Sequence, residues 1–200
     1  MGTHIGSLAI PLSKHCKEIT AIEANPKTFE LLEINLQLNN IENITPHNIF
    51  ANNSSEKVEF LMSTVNSGGS KRKPKISHFL YDYDDPEIIE LDSHQLDDYL
   101  SEHHFDLVLL DIEGSEYYAM KGMKEILSHC KTLVVEFLPH HLKNVAGVDV
   151  DTFISALPQH FTKFQLPDQN QEHNISELKT VLQKMYDSNV GEDGIIFTSN

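Results

Sequence analysis

The chain has no tryptophan, only two cysteines, and half as many basic as acidic residues: 15 Lys and Arg against 30 Asp and Glu. Each shortage excludes something. Cys16 and Cys130 lack metal-ligand spacing, and two thiols do not make a disulfide scaffold. They read as buried or half-buried thiols of a reducing cytoplasm. A net charge of −15 repels phosphate backbones, which excludes nucleic acid as the expected partner. No apolar run nears the roughly 20 residues of a membrane-spanning helix. Residues 1–15 lack the basic start and apolar stretch of a secretory leader. A cytoplasmic protein without a membrane partner is expected.

The remaining composition, 40% hydrophobic over 200 residues, supports one domain across 1–200. Strand-like and helix-like runs alternate, the pattern of a doubly wound α/β sheet. Strands are predicted over 18–24, 44–51, 106–112, 132–138, 161–166 and 194–199. The run Leu107-Val108-Leu109-Leu110 reads as a strand covered on both faces. Asn25-Pro26 starts a helix carrying Phe29, Leu32 and Leu36 on one stripe. The spacing of Ala119, Met123 and Leu127 predicts one helix over 115–128, and further helices are expected over 95–101, 151–157 and 176–186. Residues 57–92 read as a β insertion with a mobile loop through Ser67-Gly68-Gly69-Ser70. The basic run Lys71-Arg72-Lys73 reads as solvated there.

Four constellations carry chemistry. Gly2-x-x-x-Gly6 opens a helix and lets backbone approach a ligand closely. Glu23 ends the next strand, about 20 residues on, where an acid accepts hydrogen bonds from ribose hydroxyls. Asp111-Ile112-Glu113-Gly114-Ser115-Glu116 follows a buried strand and precedes a helix, so three carboxylates crowd the carboxyl end of the sheet. A divalent cation is compatible with these oxygens but not demanded by them. Glu136 interrupts an apolar strand and needs an internal partner. The adjacent His140 and His141 read as a solvent-exposed pair.

Taken together, these motifs resemble the FkbM-type methyltransferases. The resemblance rests on Gly-Thr-His-Ile-Gly at 2–6, on Ile22-Glu23-Ala24-Asn25-Pro26 with Phe29, Leu32 and Asn35, and on Leu96-Asp97-Asp98-Tyr99-Leu100. It continues through Asp111–Glu116 with Gly122 and Val135-Glu136, covering about residues 1–138. It implies a Rossmann-like sheet of the class I type, S-adenosylmethionine as donor, and a hydroxyl of a small molecule or glycan as acceptor. Gly2, His4 and Gly6 would then line the methionine end of the donor. Glu23 and Ala24 would hold its ribose, and Ala51 and Asn52 would lie beside its adenine. Asp111, Glu113 and Glu116 would face the reacting centre, with Asp111 or Glu113 as the base and Asp111 also touching the donor.

Two departures accompany the resemblance. The family has a strand ending in an acid directly before the glycine turn, and Met1 stands in its place. A first central strand missing from the sequence is therefore expected. The strands ending at Glu23 and Asp111 would then pair directly or leave backbone groups unsatisfied. A shortened product, a fragment, or a domain completed by another chain would each look this way. His4 replaces a small amide. No Gly-x-Gly-x-x-Gly turn is present, which excludes a nicotinamide-dependent oxidoreductase. The rival reading is an inactive methyltransferase-like interaction module.

Overall fold

A computed structural model describes residues 1–199. The chain begins with α1 (Ala9–Leu12), β1 (Ile19–Ile22), α2 (Pro26–Leu38), β2 (Ile44–His47) and β3 (Phe50–Ala51). The insertion follows as β4 (Lys57–Met62), β5 (Lys71–Arg72), α3 (Phe79–Asp82) and β6 (Glu87–His94). Next come α4 (Leu96–Tyr99), β7 (Leu107–Leu110), α5 (Glu116–Lys121), α6 (Lys124–His129) and β8 (Thr132–Phe137). The last part holds α7 (Pro139–His141), α8 (Val150–Ile154), β9 (Lys163–Leu166), β10 (Gln171–Asn174), α9 (Leu178–Ser188) and β11 (Glu192–Thr198). No helix among the described residues is long and apolar enough to cross a membrane.

The strands form three sheets. β1 and β2 pair in parallel. β7 and β8 also pair in parallel and continue through antiparallel β11, β9 and β10. The insertion makes a third sheet, in the order β3-β6-β4-β5. Leu133, Val135 and Phe137 of β8 pack with Phe164, Leu182 and Phe197 in the largest apolar cluster, which α5 and α6 enter through Ala119, Met120 and Leu127. A second cluster joins Ala21 to Leu32 and Leu36, the α2 stripe legible in the sequence.

β1 and β7 make no ladder with each other. They meet only at their carboxyl ends, through Met1–Thr3. Met1 N donates to the Leu109 carbonyl at 2.6 Å, and the Asp111 amide donates to the Met1 carbonyl at 3.3 Å. That alternation is the pattern of a parallel ladder. On the other side, the Gly2 and Thr3 amides both donate to the Ile22 carbonyl. Below this join the two edges stay apart, and β7 is less covered than its apolar run predicts: Leu107 is 43% exposed.

Two predicted elements divide. The strand expected over 44–51 becomes β2 and β3, which belong to different sheets. The Asn48 side chain donates to the Glu23 carbonyl at 2.8 Å and holds the chain where it turns from one sheet to the other. Pro46 is tolerated in β2 because that strand is paired on β1 alone. The helix expected over 115–128 becomes α5 and α6, broken at Gly122. A Cβ at Gly122 would overlap the Asn52 carbonyl, so the close approach requires glycine, and glycine weakens a helix interior. β10, Gln171-Glu172-His173-Asn174, has no apolar alternation and was not predicted. Its pairing with β9 and the Lys163–Glu172 ion pair hold it. Gly122→Ala is expected to destabilise the fold by about 1–3 kcal/mol through this overlap, measured by urea unfolding.

Candidate functional site

A cavity of ≈ 830 Å³ opens at the carboxyl ends of β1 and β7 and runs down between their edges. Its upper wall is Gly2, Thr3, His4, Glu23, Ala24, Phe50 and Ala51, with Asp111, Ile112 and Glu113 facing them. Its lower wall is the two unjoined edges, Ile19–Ile22 on one side and Phe105, Asp106, Leu107 and Leu109 on the other.

The opening turn is built around two residues. Gly2 has φ 72°, and a Cβ there would overlap the Asp111 carbonyl, so only glycine lets the turn lie against the acid loop. His4 has φ 52°, a left-handed conformation uncommon for a side chain of this size. It is held at both ends. Its amide donates to Glu23 Oε2 at 2.8 Å, and its Nε2 lies 2.8 Å from Ser67 Oγ. Glu23 Oε1 accepts from the Asn25 amide at 2.8 Å. Burial raises the Glu23 carboxyl above its usual range, while the two amide donors pull it back. Asn25 then caps α2 by accepting from Lys27 and Thr28.

The acid loop has its own constraint. Glu113 has φ 57° and Gly114 φ 96°. Val145 leaves no room for a Cβ on Gly114. Glu116 Oε1 reaches back to accept from the Ile112 amide at 2.9 Å and the Gly114 amide at 3.2 Å. It is 5% exposed, and it shapes the loop from behind. Asp111 and Glu113 sit on the cavity side, and the buried part of Asp111 together with neighbouring Glu113 raises its carboxyl.

Three predicted site residues do not line the cavity. Gly6 packs against Ile10 and Leu32. Asn52 is fully buried, donating to Ser93 Oγ at 3.1 Å while its own oxygen accepts from Arg72 at 2.6 Å. Glu116 lies behind the loop. The cavity therefore brings together Gly2, His4, Glu23, Ala24, Ala51, Asp111 and Glu113.

Two sequence readings are corrected here. Lys71 and Arg72 do not lie in a solvated loop. They form β5, with Lys71 buried and its Nζ 3.0 Å from Glu113 Oε2, and with Arg72 over the Tyr118 ring at 4.2 Å. His141 is not solvent-exposed. It is 5% exposed and lies between Glu113 and Glu136, at 3.5 and 3.6 Å. Burial and Lys71 push its imidazole down to about 4, so it is neutral at pH 7. The signal that could have located both was the need of Glu113 and Glu136 for partners, since half-buried carboxylates rarely stand alone. Within the stretch expected as a mobile loop, Ser67-Gly68-Gly69 is a 3₁₀ turn anchored on Asn66 and His4.

The family model described as the methyltransferase FkbM domain matches residues 1–175. No curated protein matches the chain.

The buried loop acid has a measurable consequence. Burial and neighbouring Glu136 push Glu116 up to about 8. The folded state therefore keeps a proton that the unfolded chain releases near its ordinary value of 4.5. Between those values the native state binds more protons, so stability falls as pH rises from about 4.5 to about 8. Glu116→Gln keeps the acceptor oxygen and removes the titration. It should make this decline shallower in urea melts taken across the window, the remainder being carried by Glu136, which burial raises as well.

Proposed function

The chain belongs to the FkbM methyltransferase family, and from that premise we propose that it moves a methyl group from S-adenosylmethionine to a hydroxyl oxygen of a small molecule or glycan. The observation that carries the reading is that Gly2, Glu23 and Asp111 line one cavity at the carboxyl ends of parallel strands.

The residues fit such a donor. Each Glu23 oxygen accepts one amide and keeps capacity for a ribose hydroxyl. Phe50 and Ala51 give a flat apolar wall suited to a purine ring. The backbone of Gly2 and Thr3 lines the cavity beside Asp111, which suits the amino-acid end of the donor. When bound, the donor supplies an electrophilic methyl group. The chain's own work is then placement. Glu23 and the 2–4 turn fix one reactant, and the loop at 111–114 fixes the other side. Holding two reactants at attack distance is where most of the acceleration arises. Asp111 or Glu113, both on the cavity wall, receives the hydroxyl proton.

The proposal extends to the architecture. We read the β2–β1 pair and the β7–β8 half as parts of one doubly wound sheet, with room for a strand between them ahead of Met1. The parallel pattern of the Met1 bonds to Leu109 and Asp111 supports this reading. Extending the chain ahead of Met1 by a short apolar, β-branched segment should raise the melting temperature and tighten donor binding. An unchanged melt would remove this part of the proposal.

The unjoined edges are the specific observation favouring the rival reading, a methyltransferase-like module that binds a partner and no donor. Calorimetry with S-adenosylmethionine separates the two. The enzyme reading expects binding that Glu23→Ala weakens by about 10–100-fold, the scale of losing hydrogen bonds to a charged acceptor. Absence of binding at millimolar donor favours the module.

A further inference from the structure

Besides the opening turn and the acid loop, the cavity has a wall supplied by the insertion. Asn66, Ser67, Gly68 and Ser70 line it together with His4 and Glu23. The sequence predicts a mobile loop here, yet the segment is fastened at two points. His4 Nε2 lies 2.8 Å from Ser67 Oγ, and Asn25 Nδ2 donates to Ser70 Oγ at 3.2 Å. Within the segment, Asn66 Oδ1 accepts from the Gly68 amide, and the Ser70 amide donates to the Ser67 carbonyl. Both anchors are residues that Glu23 itself holds, since its two oxygens accept from the His4 and Asn25 amides. The Glu23 carboxylate and the insertion segment are therefore fixed relative to the same two residues.

His4 carries a second observation. Its φ of 52° lies in the left-handed region, which glycine adopts freely and a ring-bearing residue adopts uncommonly. The backbone duty at position 4, an amide donated to Glu23, needs no side chain. Glycine would serve it with less strain. What histidine adds is the ring, and the ring's hydrogen bond goes to Ser67. Backbone held in a sparsely populated conformation clusters where a site requires it.

We propose that the segment at 66–70 is a fixed wall of the donor site beside Glu23, contacting the nucleoside part of the donor, and that His4 is the positioning residue that sets it there. The inference rests on the methyltransferase reading and adds the insertion to the donor's binding groups. A serine hydroxyl has one proton and two lone pairs, and the bond to His4 uses only part of that capacity. The remainder of Ser67 is available to a ribose hydroxyl, next to the carboxylate that accepts from the same sugar.

The test is calorimetry of the full chain with two probes, S-adenosylmethionine and 5′-methylthioadenosine, which keeps the nucleoside and lacks the amino-acid end. His4→Gly retains the left-handed turn and the amide to Glu23 and removes the ring. Ser67→Ala removes the other partner of the same bond. Each should weaken both probes by about 3–10-fold, the scale of one hydrogen bond. The double variant should lose less than the product of the two single losses, because both changes delete one shared contact. Two unrelated structural weaknesses would multiply instead. In hydrogen exchange on the parent, S-adenosylmethionine should slow the amides of residues 66–70 as well as those of the opening turn. The proposal is overturned if the folded variants bind both probes as tightly as the parent, or if the losses multiply. It is overturned too if the loss is confined to S-adenosylmethionine, or if the donor protects the opening turn and leaves 66–70 unchanged. Should His4→Gly not fold, as judged by circular dichroism, Ser67→Ala and the exchange measurement decide. A parent that binds neither probe overturns the methyltransferase reading as a whole, whereas a parent that binds while its variants are indifferent overturns this inference alone.

Discussion

The whole site depends on one short stretch of backbone. The Gly2 and Thr3 amides share the Ile22 carbonyl, and Met1 exchanges bonds with Leu109 and Asp111. This join is what brings the end of β1 beside the end of β7, since no ladder does so lower down. It also explains the glycine, because a side chain at position 2 would collide with the Asp111 carbonyl. Glu23 then clasps the turn by accepting from His4 on one side and Asn25 on the other. One carboxylate thus fixes the opening turn and the entry to α2 together.

The second constraint is electrostatic. Glu116 and Glu136 are buried, and Asp111 and Glu113 lie beside them. Burial and mutual repulsion raise Asp111, Glu116 and Glu136 above ordinary carboxyl values. The fold answers this with backbone amides at Glu116, an ammonium at Glu113, and a neutral imidazole between Glu113 and Glu136. Buried charge is costly, so such a concentration of acids in one place marks a functional region more readily than a stabilising one.

Much of this was legible in the sequence. The α2 stripe, the β8 run, the strands of the insertion and the glycine turn all show in local patterns, because apolar period and capping chemistry are written in neighbouring residues. So was the placement of Glu23 and the Asp111 loop at strand ends, where both line the cavity. The division of 44–51 was not, because the bond from Asn48 to the Glu23 carbonyl is long-range. Nor was the break at Gly122, which is set by a contact with Asn52 seventy positions earlier in the chain. Lys71 and His141 were misplaced for the same reason. A basic run beside Gly and Ser reads as solvated until an acid from a distant loop is known to need it, and a histidine pair reads as exposed until Glu136 is placed beneath it.

The contact between His4 and Ser67 ties the insertion to the opening turn. His4 is in a left-handed backbone conformation, and its ring is anchored on a residue from a different sheet-forming segment. Remodelling that segment would therefore also loosen the turn at residues 2–4. Two segments more than sixty positions apart are thus mechanically linked through one histidine.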